Sequence, residues 1–265
     1  MRRLAGFVQR WIVFVLAVVV WQLATAAADH PFFPTPLAIL EQCKQLWLTT
    51  DSGSFGLSDA VFDDVLPSLS RLVTGWAIAV VLGVAIGTAL GRSRTGMQYV
   101  GPLLAFFRTL PSPALLPVFI ILFGLTETMG VALIVFGAIW PVLLNTVDGV
   151  RSVDSVKTET AQSFRTPRSQ WVTMVVLPAA LPKIFAGLRL SLSIAVILMV
   201  IAEMVGVTNG IGYQLIYAKS QFDITTMWSW IALLGIIGYV LNLALLGVER
   251  RALRWQPTRA AMARR

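Results

Sequence analysis

One cysteine and one histidine are all that 265 residues offer to a disulfide or to an imidazole and thiolate metal site. Cys43 alone excludes an intrachain bridge, and with only His30 beside it there is no spaced set of metal ligands; both read as ordinary loop residues. Charge is scarce too. Charged residues make up 13% of the chain against 57% hydrophobic ones, more apolar surface than one soluble core can hide, so the surrounding medium is a bilayer. No G-x-x-x-x-G-K-[ST] run occurs, so the chain carries no phosphate-cradling loop for a nucleotide. The apolar segments hold neither paired carboxylates nor a nucleophile beside a base, which leaves an enzyme reading without support. The net charge of +8 comes without a basic stripe interleaved with aromatics; it sits at the ends of the apolar segments, a pattern of membrane topology rather than of nucleic-acid binding.

What is present is a series of apolar runs, read as an all-α membrane protein forming one domain over 1–265. Six transmembrane helices are expected at about 11–28, 68–91, 101–124, 130–147, 184–207 and 227–248, with a polar loop at 148–183. The run from Trp11 to Ala28 follows a short basic start and ends near Ala24-Thr25-Ala26, which also fits a signal-peptide cleavage site. A retained span is preferred, because the run is about 27 Å long at about 1.5 Å per residue, close to a bilayer core. Between His30 and Leu66 lies a loop with a proline-initiated amphipathic helix, Pro36 to Leu48. In the second span Gly83, Gly87 and Gly91 recur every four residues and bare one helix face for close packing. A turn from Arg92 to Gln98 leads to the third span, where Arg108 is followed by Pro111, Pro113 and Pro117. Each proline removes a backbone donor, so this helix is expected to break where water or protein satisfies the freed carbonyls. Broken spans tend to line pathways, which makes Arg108, Pro111, Ser112 and Pro113 pathway candidates; a cation snorkelling to the interface is the other reading of Arg108. Glu203, near the end of the fifth span, is either a gate or an acid with a structural partner. Thr208 to Thr226 reads as a loop.

All but four of the 21 Lys and Arg lie at the termini, at 91–100 or at 148–189; the exceptions are Lys44, Arg71, Arg108 and Lys219. The positive-inside bias therefore places both termini and the 148–183 loop in the cytoplasm.

That loop is the most informative stretch. From Arg151 to Lys183 it offers a helix over Val156 to Phe164, a break at Thr166-Pro167 and a second helix over Arg168 to Leu177, ended by Pro178 and Pro182. Apolar side chains recur at spacings of three and four, giving each helix a face that seeks a partner outside the membrane. The run Glu159-Thr160-Ala161, then Arg165, then Val175-x-Leu177-Pro178 resembles the coupling loop of ABC-importer permeases. That loop reads E-A-A, three residues, G, nine residues, I-x-L-P, so Arg165 stands where glycine is expected. SLSRLVTGWAIAVVLGVAIGTALG, FRTLPSPALLP, LLNTVDGVRSVD and VLPAALPKIFAGLRLSL are similar to the nitrate/sulfonate/taurine-type importers, and the resemblance covers roughly Pro34 to Trp255.

The resemblance implies a type I ABC-importer permease-like fold in a prokaryotic inner membrane. It also implies a homodimer, a separate ABC ATPase subunit that holds ATP and Mg, and an extracytoplasmic solute-binding protein that delivers a small solute such as a sulfonate, taurine or nitrate. The chain itself is then non-catalytic and binds no cofactor. Glu159, Thr160, Ala161, Arg165, Val175, Leu177 and Pro178 would make the ATPase contact. At Arg165 the helix either adopts a left-handed residue or runs on to Thr166, which then caps the next helix; the second is preferred. The alternative function, a self-sufficient secondary transporter or channel built on Arg108 and Glu203, expects two related halves, and the sequence has no internal repeat.

Overall fold

The computed structural model describes residues 2–28, 30–48 and 58–255, and the described residues are almost wholly helical. They fall into two units.

The first unit holds the described residues up to Pro67 together with Thr208–Ile236. It contains α1 (Arg2–Ala28), α2 (Pro36–Trp47), α10 (Ile211–Ser220) and the first half of α11 (Ile224–Ala252). Pro36 opens α2, and the Thr35 hydroxyl accepts from Ala38 N–H, a pairing of N1 proline and N-cap that supplies the missing acceptor at a helix start. Gln22 Oε1 accepts from Leu37 N–H, Gln42 Nε2 donates to Thr226 Oγ1, and Trp21 meets Trp228 while Trp47 meets the buried Trp230. Burial pushes the Cys43 thiol on α2 above its usual range, with the Ser229 hydroxyl partly offsetting it. The stretch Thr208 to Thr226, expected as a loop, contains α10. Its start is fixed by a group distant in sequence: Asp64, buried, accepts from Gly210 N–H and Gln214 Nε2, both at 2.8 Å.

The second unit holds Ser68–Val207 and the described residues from Ile237. It contains most of α3 (Leu66–Arg92), then α4 (Arg94–Thr109), α5 (Leu116–Phe123), α6 (Glu127–Arg151), α7 (Ser155–Ser163), α8 (Arg168–Trp171), α9 (Leu177–Gly206) and the rest of α11. Its core lies where α6 and α9 pack along their length, with Val142, Val150, Ala180, Ile184, Leu188 and Leu192 buried between helices. The glycines of α3 meet α6 so closely that a Cβ on Gly87 would stand 2.7 Å from Thr146 Cβ and one on Gly83 2.9 Å from Val142 Cβ; Gly91 faces Val150 in the same way.

Among the described residues five helices are long and apolar enough to cross a membrane, and α4 with Ser112–Phe123 forms a pair bent by 85°, a broken span or a re-entrant loop. The break falls at the expected prolines. The turn expected from Arg92 to Gln98 is confined to Ser93, whose hydroxyl caps α4 by accepting from Gly96 N–H, so helix resumes at Arg94.

Two single π turns, Val61–Val65 and Val172–Val176, solve one problem twice. Each precedes a Leu-Pro pair, Leu66-Pro67 and Leu177-Pro178, and in each the leucine N–H reaches back five residues, to Val61 O and Val172 O. A proline ring cannot donate and crowds the carbonyl four residues back; widening the turn by one residue accommodates both, so the helix continues. This corrects the expectation that Pro178 and Pro182 end the second loop helix. Arg168 to Gly206 runs on as 39 residues without interruption.

Candidate functional site

The hairpin between α6 and α9 begins at Asp154, whose carboxylate accepts from Val156 N–H at 3.0 Å. Along α7, Glu159 and Thr160 are exposed and Ala161 is half-buried, and the Thr160 hydroxyl is turned back onto Val156 O at 2.7 Å. The helix closes with Phe164 N–H on Thr160 O and Thr166 N–H on Ala161 O, around Arg165 at φ 51°. This six-to-one bond around a left-handed residue is the usual helix stop in which glycine stands at the turning position. Arg165 therefore adopts the left-handed backbone, and the expectation that the helix would run on to Thr166 is corrected. Thr166 does not cap the next helix either: Pro167 occupies that position with no side-chain bond, and Trp171 N–H closes the first turn on Pro167 O at 2.9 Å.

The hairpin leaves apolar side chains uncovered, with Phe164 81%, Met174 72% and Val156 62% exposed. Val175 is half-buried, while Leu177 packs on the α6–α9 core and Pro178 opens α9, so the loop's last motif residues anchor the hairpin to the span. Lys183 Nζ donates to Asp148 O at 3.1 Å and closes the base of the loop.

At the opposite end of the same helices a buried cation meets two acids. Arg71 Nη1 donates to Glu203 Oε1 at 2.9 Å, with side chains 4% and 1% exposed, and Arg71 Nη2 lies 3.1 Å from Glu127 Oε1. The cluster joins the start of α3, the start of α6 and the end of α9. Of the two readings of Glu203, the structure supplies the structural partner. Neither Arg71 nor Glu127 was singled out by sequence reasoning; the available signal was a cation at the start of one span and acids at the matching ends of two others.

The remaining pathway candidates lie elsewhere. Arg108 is exposed in the last turn of α4, and Pro111, Ser112 and Pro113 form the break, where Ser112 sits against Gly137 of α6. Among the described residues no ion pair joins Arg108 to Glu203. No group of three or more potential metal ligands occurs among the described residues.

Against known proteins, residues 79–254 match the family described as binding-protein-dependent transport system inner membrane component. The taurine transport system permease protein TauC of Escherichia coli (strain K12) is 34% identical over 91% of this chain and 86% of its own length. The putative aliphatic sulfonates transport permease protein SsuC of Bacillus subtilis (strain 168) is 31% identical over 96% and 90%. The fold is that of a chain from the inward-facing MetNI methionine ABC transporter, with a TM-score of 0.63 at 21% identity over 75% of this chain and 99% of that one. The chain belongs to the family of binding-protein-dependent transport system inner membrane components, the multi-pass permease subunits of ABC importers.

Proposed function

We propose that this permease imports a small organic sulfonate or a similar oxyanion. In this reading it acts as a homodimer, receives solute from an external binding protein and is driven by a separate ATPase subunit that carries ATP and Mg. The solute class rests on the taurine and sulfonate relatives; selectivity is shared with the binding protein. In the same reading both termini and the hairpin face the cytoplasm, which the distribution of Lys and Arg supports. The observation that carries the reading is the hairpin 155–171: a polar loop whose Phe164 and Val156 stay uncovered beside Glu159 and Thr160. An apolar face of this kind outside the bilayer fits a protein groove, the helix-in-groove mode of recognition.

In that docking Glu159 and Thr160 face the ATPase, Ala161 permits close approach because it is small, and Arg165 projects from the turn toward an acidic group. Val175, Leu177 and Pro178 convert the resulting push into movement of α9. The route for solute passes the break at Arg108, Pro111, Ser112 and Pro113, where the proline-freed carbonyls need water. Glu203 contributes at a distance, by fixing Arg71 and with it the ends of three helices.

Ala161→Trp tests the docking. In proteoliposomes containing permease, ATPase and binding protein, the variant should assemble and keep its melting temperature but lose solute-stimulated ATP hydrolysis and uptake. Stimulation equal to that of the unchanged protein would exclude the hairpin as the coupling element.

A further inference from the structure

Between the hairpin and the ends of the neighbouring helices lie two adjoining clefts. One of about 570 Å³ is lined by Arg92, Arg94 and Arg151; its neighbour, about 350 Å³, is lined by Arg92 and Arg168, and Thr158 and Trp171 border both. No carboxylate lines either cleft. The four guanidinium groups arrive from four elements: Arg92 ends α3, Arg94 begins α4, Arg151 ends α6 and Arg168 begins α8.

Ordinary causes explain only part of this convergence. Cations at the last turns of α3 and α6 sit well against the carbonyl ends of those helices, but Arg94 and Arg168 stand at helix starts, where the backbone dipole disfavours positive charge. Among the described residues the ion pairs use Arg71 and Arg189, and none of the four cleft arginines has an acidic partner. A topological bias toward cytoplasmic cations accounts for their side of the membrane and not for their gathering around one concave space. Planar guanidinium forks match tetrahedral oxyanions through paired hydrogen bonds, and a concave site with several of them is the usual form of a phosphate or sulfonate pocket.

We infer that this double cleft binds a small tetrahedral oxyanion group, which joins Arg168 of the hairpin to Arg92, Arg94 and Arg151 of the helix bundle. Bound anion cancels the mutual repulsion of the four cations and holds the hairpin against the ends of α3, α4 and α6. The group has two possible sources with the same chemistry: the phosphodiester of an anionic lipid, or a free oxyanion in the aqueous phase. Either makes the stiffness of the coupling hairpin depend on an anion, whatever solute is carried.

The test is amide hydrogen exchange across residues 155–171 of the full-length chain in nanodiscs. One arm titrates inorganic phosphate into phosphatidylcholine discs, with sodium chloride at equal ionic strength as reference; the other replaces part of the lipid by phosphatidylglycerol without added phosphate. Slowing of exchange by about fivefold or more is expected in at least one arm, the first identifying a free oxyanion and the second a lipid headgroup. Arg92→Ala with Arg151→Ala, and separately Arg168→Ala, should weaken the effective arm by about tenfold or more, the loss of a charge-assisted contact, while Arg250→Ala leaves it unchanged. No slowing beyond chloride in both arms, or equal slowing in the Arg168→Ala protein, overturns the site.

Discussion

A guanidinium among apolar helices needs a counter-charge, and Arg71 has a buried one in Glu203 and an exposed one in Glu127, whose side chain is 70% exposed. The two acids differ in what their removal leaves behind. Glu203→Ala takes from Arg71 its buried counter-charge and should cost about 3 kcal/mol of stability, whereas Glu127→Ala removes a solvent-screened contact worth about 1 kcal/mol at most. Unfolding titrations of the two purified variants in mild detergent check the ranking; equal losses would mean that the buried pair does not hold these helix ends. Arg165 is a second residue with a readable energy. An L-residue with a side chain holds φ 51° at a cost of about 1 kcal/mol. Arg165→Gly should relieve it and slow amide exchange at the end of α7 by roughly fivefold in the isolated permease. If the proposed contact with the ATPase is real, the same variant should assemble less tightly with it, and by less as salt rises.

Elements pack here by what glycine omits. A Cβ on Gly87 would meet Thr146 Cβ at 2.7 Å and Leu143 O at 2.8 Å, while one on Gly235 would meet nothing within 4 Å. Gly87→Leu should therefore force α3 from α6 and destabilise by about 1–3 kcal/mol, whereas Gly235→Ala should be neutral or gain up to about 1 kcal/mol in helix propensity. Denaturant unfolding of both variants gives the comparison, and a neutral Gly87→Leu would refute the close approach. The glycine spacing, the apolar runs and the clustered prolines of the third span were legible because each acts through local chemistry: bare backbone, transfer to lipid, a missing donor. So was the hairpin, through its apolar periodicity and the spacing from Glu159 to Pro178. What sequence did not disclose depends on partners far along the chain or on a change of helical register. The start of α10 rests on Asp64, and Arg71 acquires meaning only beside Glu203. Pro178 reads as a stop until the π turn before it is seen, and Arg165 was expected to avoid the conformation it adopts.

At the scale of the molecule, one hairpin is rooted in α6 and α9, and those two helices form the core of the unit that carries the broken third span. In the proposed coupling, force on the hairpin passes into these packed helices, whose far ends the Arg71 cluster joins. The proposed docking puts the ATPase at one place, the hairpin tip. The most direct measurement is a photo-crosslink: a benzoylphenylalanine in place of Phe164, 81% exposed at the hairpin tip, irradiated in membranes that also contain the cognate ATPase. An adduct of permease with ATPase is expected, absent when the same probe replaces Phe222 in the loop before α11, which is 78% exposed. Adducts with the ATPase from Phe222 and none from Phe164 would contradict the placement of the coupling surface on this hairpin.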